Sequence, residues 1–460
     1  MREYLLYLVV AALAAYAWRN WFASLCGLIL LAFVATHRDF PSNIAGIQGL
    51  NPWNILLFFV ALAWLISRRR QGFVWDMPRG VALLLGAWVI IILAAGIRCA
   101  ADVDALPQNF EITTLGAVSE NIINPLKYLV PGLMLYDGCR TRPRVLIALA
   151  CLLTVGAIYG LLVIKTIPLT NLLLQEGFMR SRRYIGRDIG LHPNNMGPLL
   201  AGFFWATIAS LPLLRHGALR VLSGAAAAVT LLGTALTHSR GGYVSLAATG
   251  MVFGLFRWRP LLVILPLGTL MVAAAFPSIP ARLGLGFGMV DVGGNVGTDW
   301  DEVTAGRITS WPFIFEQIRE SPFVGFGREA CLRRVYWSMS TVLGSEAEDI
   351  PNHPHNAYLE QLLDAGAVGL AVALALYGAV LVTAIRLCRE KDDVLVGTVG
   401  AMTLACVTAL LAAGVSGQTF WPSPSSVFLW CFCGILLRVW VTLRQVRTVQ
   451  RAENTVTGTR

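Results

Sequence analysis

Two histidines separated by one proline, His353-Pro354-His355, stand before Asn356 where a long polar stretch of an apolar chain turns back into an apolar run. Proline disfavours helical backbone in the residue before it, which keeps His353 extended, and asparagine accepts hydrogen bonds from the free amides of a first helical turn. The spacing therefore presents two imidazoles at a helix entrance. Imidazole titrates near neutrality, so a neutral ring there can take a proton from a hydroxyl nucleophile. The chain has 6 His, and two of them in one tripeptide invite that reading. The alternative is a pair of loop histidines bonded to backbone carbonyls.

A second set of residues suits an anion. Arg180, Arg182, Arg183 and Arg187 crowd one stretch, Arg240 lies within Ser239-Arg240-Gly241-Gly242, and Arg307, Arg328, Arg333 and Arg334 follow in the polar insertion. Guanidinium forks match phosphate oxygens, and amides at a helix start add to the pull. Glycines at 241 and 242 would let backbone approach a ligand closely. Lipid headgroups are the competing partner for the 180–187 group. Lys127, after Asn124-Pro125, either reaches the same anion or snorkels to the interface. His192 and Asn194 either face a bound ligand or cap the helix that begins near Asn195. His238 reads as a buried, satisfied histidine. Asp299-Trp300-Asp301 is formally an Asp-x-Asp, and we read it as a loop feature, so no divalent metal is expected.

The elements that must position these groups are membrane helices. Hydrophobic residues make up 56% and charged ones 13% of the chain, against about 25% charged in soluble domains, and mean hydropathy is +0.65. Long unbroken apolar runs such as 81–97 and 145–164 exclude barrel strands, which alternate. We expect an all-α polytopic membrane protein with about twelve crossings at about 20 residues each, the first two runs (4–18 and 21–36) being short. Run 4–18 shows no convincing small-residue cleavage site, so no cleavable signal peptide is expected. The expected divisions are N-terminal membrane helices over 1–277, a long external loop over 278–356 and C-terminal helices with a basic tail over 357–460. The net charge of +10 does not argue for nucleic acid, because many cations sit at the ends of apolar runs, where they set topology. Those at 68–70, 140–144, 215–220, 257–259, 386–391 and 444–451 all fall on one, cytoplasmic, side when the runs alternate. The histidines and the anion-binding arginines then face the opposite, periplasmic side. The 9 Cys show no metal-ligand spacing; Cys99 and Cys331, both external on this topology, are either bridged or free thiols.

Taken in order, Thr237-His238-Ser239-Arg240-Gly241-Gly242, Gly306-Arg307 with Trp311, Ser321-Pro322-Phe323-Val324-Gly325-Phe326-Gly327 and His353-Pro354-His355-Asn356-Ala357-Tyr358-Leu359 with Gly366 and Gly369 resemble the O-antigen ligase and polymerase superfamily. The resemblance implies a GT-C-like fold in a bacterial inner membrane. It also implies an undecaprenyl-diphosphate-linked glycan donor, a lipid A-core acceptor and no cofactor. It casts His355, or else His353, as general base and Arg240 and Arg307 as stabilisers of the leaving diphosphate. Arg180, Arg182, Arg183, Arg187, Lys127, His192, Asn194 and Asn356 are then candidates for donor binding, and inversion at the anomeric carbon is expected. Ligase is preferred. Polymerase and protein O-oligosaccharyltransferase remain open, the short basic tail speaking modestly against the last. A lipid-linked glycan flippase is the alternative from another class; no repeat between the halves supports it.

Overall fold

The computed structural model describes residues 2–44, 46–106, 112–174, 184–284, 307–343 and 353–457. The long helices are α1 (Arg2–Ala35), α2 (Pro52–Arg70), α3 (Arg79–Ala101), α5 (Asn124–Gly138, preceded by the short α4, Thr114–Val118), α6 (Arg142–Thr166), α7 (Pro193–Ser210), α8 (Gly217–Leu236) and α9 (Arg240–Phe256). They continue with α10 (Leu261–Ala275), which meets α11 (Ser278–Gly284) at a 103° bend. The insertion carries α12 (Arg307–Glu320) and α13 (Tyr336–Leu343), and α14 (Ala357–Cys388), α15 (Val394–Ala413) and α16 (Val427–Thr457) complete the bundle. Beside the helices, the described residues include one minimal antiparallel hairpin, Asn43–Ile44 with Ile47–Gln48.

This is an all-α, multi-pass membrane protein. Among the described residues seven helices besides α1 are long and apolar enough to span a bilayer; α1 makes an eighth when its two pieces are taken together, and the bent pair a ninth if it counts as one span. Helices α2, α5 and α9 are apolar too, but α2 ends in three arginines and the other two are shorter. Helix α1 is in fact two antiparallel pieces. Asn20 has non-helical backbone (φ −149°, ψ 83°) and its side chain accepts from the Ala23 amide, starting a second helix. Ser24 Oγ then donates to Leu13 O at 2.7 Å, whereas eleven residues of straight helix span about 16 Å. The two short N-terminal runs thus form a helical hairpin.

Centrally placed α15 is buried over 72% of its apolar window, and α7 packs against it, α8 and α9. A helix apolar on all sides belongs in such a position.

The basic loops expected on one side do meet at one end of the bundle. Arg142 pairs with Asp393 at 3.1 Å, Arg447 with Glu390 at 2.6 Å, and Arg257 donates to Gly397 O at 3.1 Å. These cations also build structure: buried Asp137 accepts from Arg68 at 2.6 Å and Arg140 at 2.8 Å, and Arg438 grips Asp76 through two 2.8 Å bonds. A buried carboxylate needs such pairing to stay ionised.

Candidate functional site

The opposite end is organised by a break in α14. Gly366 has φ 64° and ψ −171°, a conformation open essentially to glycine alone. A break there frees carbonyls on one side and amides on the other, and in a membrane such groups must find protein partners. The segment Pro322 to Gly327 supplies them. Phe326 N–H donates to Leu363 O (2.9 Å), Gly327 N–H to Asp364 O (2.7 Å), Ala367 N–H to Pro322 O (2.8 Å) and Val368 N–H to Phe323 O (3.1 Å). The Pro-Phe-Val-Gly-Phe-Gly sequence is therefore a plug for the helix break.

Immediately beyond the plug, Arg328 reaches into the bundle. It pairs with Glu360 at 2.8 Å and Asp364 at 2.7 Å and lies 4.7 Å from the centre of the Trp421 ring. Burial opposes its charge, but Asp364 and Glu360 outweigh that and raise its pKa. Glu360 also accepts from Gln418. Arg333 binds Asp102 at 2.6 Å and the carbonyl of Phe326, tying the plug to α3. Sequence reading named Arg328 and Arg333 only as possible anion ligands and passed over Glu360 and Asp364. Two carboxylates four residues apart at the start of an apolar helix were the available signal.

On this foundation sits the histidine loop. Asn356 Oδ1 accepts from Tyr358 N–H (2.9 Å) and Leu359 N–H (3.2 Å), capping α14 as its residue type demands. Trp311 Nε1 donates to Pro354 O at 3.1 Å, while Ala357 N–H and Tyr358 Oη donate to Gly414 O and Leu411 O on the far side. His355 takes φ 51°, an uncommon left-handed value that histidine tolerates better than most residues. Its N–H donates to His353 Nδ1 at 3.2 Å, and the two rings meet edge to face, 4.1 Å between centres.

The two imidazoles are consequently not equivalent. Burial foremost, then His355, His192, Arg328 and Arg307, push the His353 pKa down to about 3, so this ring is neutral. Because its Nδ1 accepts, its proton resides on Nε2, and it presents a donor. His192 belongs to the same constellation by its effect on His353, and its own Nδ1 accepts from Asn194 N–H at 3.2 Å, capping α7.

The arginine pair converges here as well. Arg307 opens α12 and donates to Ser416 O at 3.3 Å; its Nε is buried with no hydrogen-bond partner. Burial, and then the charge of Arg240, lower its pKa. Arg240 opens α9, which Ser239 caps through the Gly242 amide, and its Nε donates to Arg282 O at 3.0 Å. Adjacent His238 is buried at φ 47°, with Nδ1 at 3.0 Å from Leu236 O and Nε2 at 3.1 Å from Ser278 Oγ.

The glycines after Arg240 serve packing rather than a ligand. A Cβ on Gly242 would stand 2.9 Å from Gly197 Cα, where α9 crosses α7, and one on Gly241 would stand 2.6 Å from Ser416 Oγ. Their small size brings Arg240 and the 414–418 turn together.

Other expected residues lie apart. Exposed Arg187 is paired with Asp188 at 2.9 Å, which also holds Arg38 at 3.0 Å. Asn194 lines a mostly apolar cleft of about 520 Å³ between α7, α15 and the start of α16. Lys127 faces a separate pocket. Arg180, Arg182, Arg183 and the Asp299 and Asp301 pair lie outside the described residues. Cys99 and Cys331 are both buried thiols. Trp337 Nε1 donates to Ala105 O at 2.8 Å.

Residues 225–374 match the family model described as O-antigen ligase. The matched stretch contains Arg240, Arg307, both loop histidines, the plug and the Gly366 break. No curated protein matches the chain.

Proposed function

From membership of the O-antigen ligase and polymerase superfamily, which the match supports, we propose that this chain transfers a glycan from undecaprenyl diphosphate to a sugar hydroxyl of lipid A-core at the periplasmic face. At the superfamily level the activity is glycosyl transfer in a bacterial inner membrane. The observation that carries the finer reading is the meeting of a neutral His353, His355 and the Arg240 and Arg307 pair at the end of the bundle away from the basic loops.

In this reaction the acceptor oxygen attacks the anomeric carbon as His355 takes its proton. The bond from that carbon to the diphosphate oxygen breaks, and the electron pair leaves with the diphosphate. Arg240 and Arg307 hold the charge that develops there. His353 donates from Nε2 to a substrate oxygen, a role its tautomer and low pKa suit better than that of base. His192 and Asn194 border the donor sugar, and attack opposite the diphosphate inverts the anomeric centre. Arg180, Arg182, Arg183 and Arg187 contact the outer anionic part of the substrate, and Asn356 keeps the histidine loop in register. No step calls for a metal or cofactor.

Complementation of a ligase-null strain tests this. Wild type should restore the lipopolysaccharide ladder, while His355→Ala and Arg240→Ala, expressed at equal level, should not. Rescue of a polymerase-null strain instead would reassign the acceptor to a growing glycan. Ladders restored by both variants would remove the proposed roles.

A further inference from the structure

Lys127 lies on α5 in a pocket of about 410 Å³ formed with the end of α1, the start of α2 and the segment before α16. Its side chain is half-buried. It faces the rings of Tyr128 at 5.0 Å and Trp53 at 5.9 Å from their centres, and of the charged groups Glu120 acts on it. Rings attract a cation but do not replace the water that a buried ammonium gives up. The same pocket holds Asn54, whose Oδ1 is buried with no hydrogen-bond partner, its Nδ2 being spent on Gly49 O at 2.7 Å. Phe40 and Val427 supply an apolar wall. A cation donor and a greasy wall together ask for a phosphate ester on a lipid chain, and the open acceptor adds a bond where the headgroup carries a hydroxyl.

The pocket opens at the same end of the bundle as the histidines. Arg38, just past α1, pairs with Asp188 in the stretch that leads to His192. Pro424 and Val427 face Lys127, whereas Ser425, Ser426 and Phe428 face the Asn194 cleft, so one short segment divides the two cavities. We propose that Lys127 and Asn54 form a second lipid-phosphate site, separate from the Arg240 and Arg307 pair and occupied independently of it. Its chemistry fits a membrane phospholipid headgroup or the phosphate of an isoprenoid carrier.

The test is binding, read without transfer. The purified full chain is titrated with dioleoyl phosphatidylglycerol and, separately, with undecaprenyl monophosphate, and native mass spectrometry counts bound lipid. Lys127→Gln, which removes the charge and leaves a polar side chain, should weaken one of these lipids at least tenfold, and Arg240→Ala should leave that lipid's binding at this site unchanged. Loss confined to phosphatidylglycerol assigns a phospholipid; loss confined to the isoprenoid assigns the carrier. Asn54→Leu should weaken phosphatidylglycerol, which has hydroxyls to donate. In the wild-type chain, reductive methylation of Lys127 should slow at least tenfold when the assigned lipid is bound, a readout that needs no variant to fold. Equal binding by Lys127→Gln and wild type, or methylation unaffected by either lipid, overturns the site. Failure of the transfer reaction alone leaves this result standing, because no glycan is involved.

Discussion

Replacing Gly366 with alanine should collapse the end of the protein that carries the histidine loop while sparing the membrane frame. The new Cβ would stand 2.2 Å from Phe323 C and 2.3 Å from both Phe323 O and Val324 N, all backbone atoms that cannot swing aside. At φ 64° and ψ −171° an L-residue also carries about 1–3 kcal/mol of strain. If the plug withdraws, the four backbone bonds between 322–327 and 363–368 are lost, at about 1 kcal/mol each and more for any group left buried and dry. The total is about 5 kcal/mol or above, comparable with the whole stability of many domains. Gly378→Ala is the matched control, since it lies in the same helix and nothing is within 4 Å of its added Cβ; it should be neutral or stabilising by about 1 kcal/mol. Thermal denaturation in detergent, with limited proteolysis between 321 and 334, separates the two. Gly366→Ala should melt several degrees lower and be cut in the plug. A Gly366→Ala protein that melts and resists protease like Gly378→Ala would refute the plug.

Three further outcomes follow from the same geometry. His353 has a pKa of about 3 in the fold against 6.5 for a free imidazole, so the unfolded chain binds more protons between those values. Its contribution is complete above pH 6.5 and is lost as pH falls toward 3, at up to about 1.4 kcal/mol per pH unit; melting curves of wild type should therefore fall more steeply over that window than those of His353→Asn, and parallel curves would count against it. Arg328→Met strands the Glu360 and Asp364 carboxylates and should cost about 3–5 kcal/mol, part of which Glu360→Gln with Asp364→Asn should restore in the same melting assay; a single variant as stable as wild type would contradict the network. Because a Cβ on Gly27 meets the Leu13 side chain at 2.8 Å, Leu13→Cys with Gly27→Cys, in a chain cleared of native cysteines, should cross-link with a short reagent; in a straight helix the two would be about 21 Å apart and would not.

Local rules of composition and spacing suffice for the material of this protein and the chemistry at hand. Apolar runs must become helices in a bilayer because only a local ladder satisfies every backbone group there. Basic residues between runs mark one end. Proline and asparagine act on their immediate neighbours, so the presentation of His353 and His355 at a capped helix was legible from four letters. Partners distant in the chain are fixed by packing. Glycine at 366 announces freedom, not that Pro322 to Gly327 will fill the gap it opens. Arg328 reads as a ligand for an anion until Glu360 and Asp364 are found beside it. Gly241 and Gly242 read as room for a ligand until Ser416 and Gly197 occupy that room. Lys127 reads as an anion ligand or a snorkelling cation, and only packing sets it in a pocket with Pro424 and Val427. Helical period and hydropathy are local quantities, whereas a charge is assigned to structure or to substrate by what stands within about 4 Å of it.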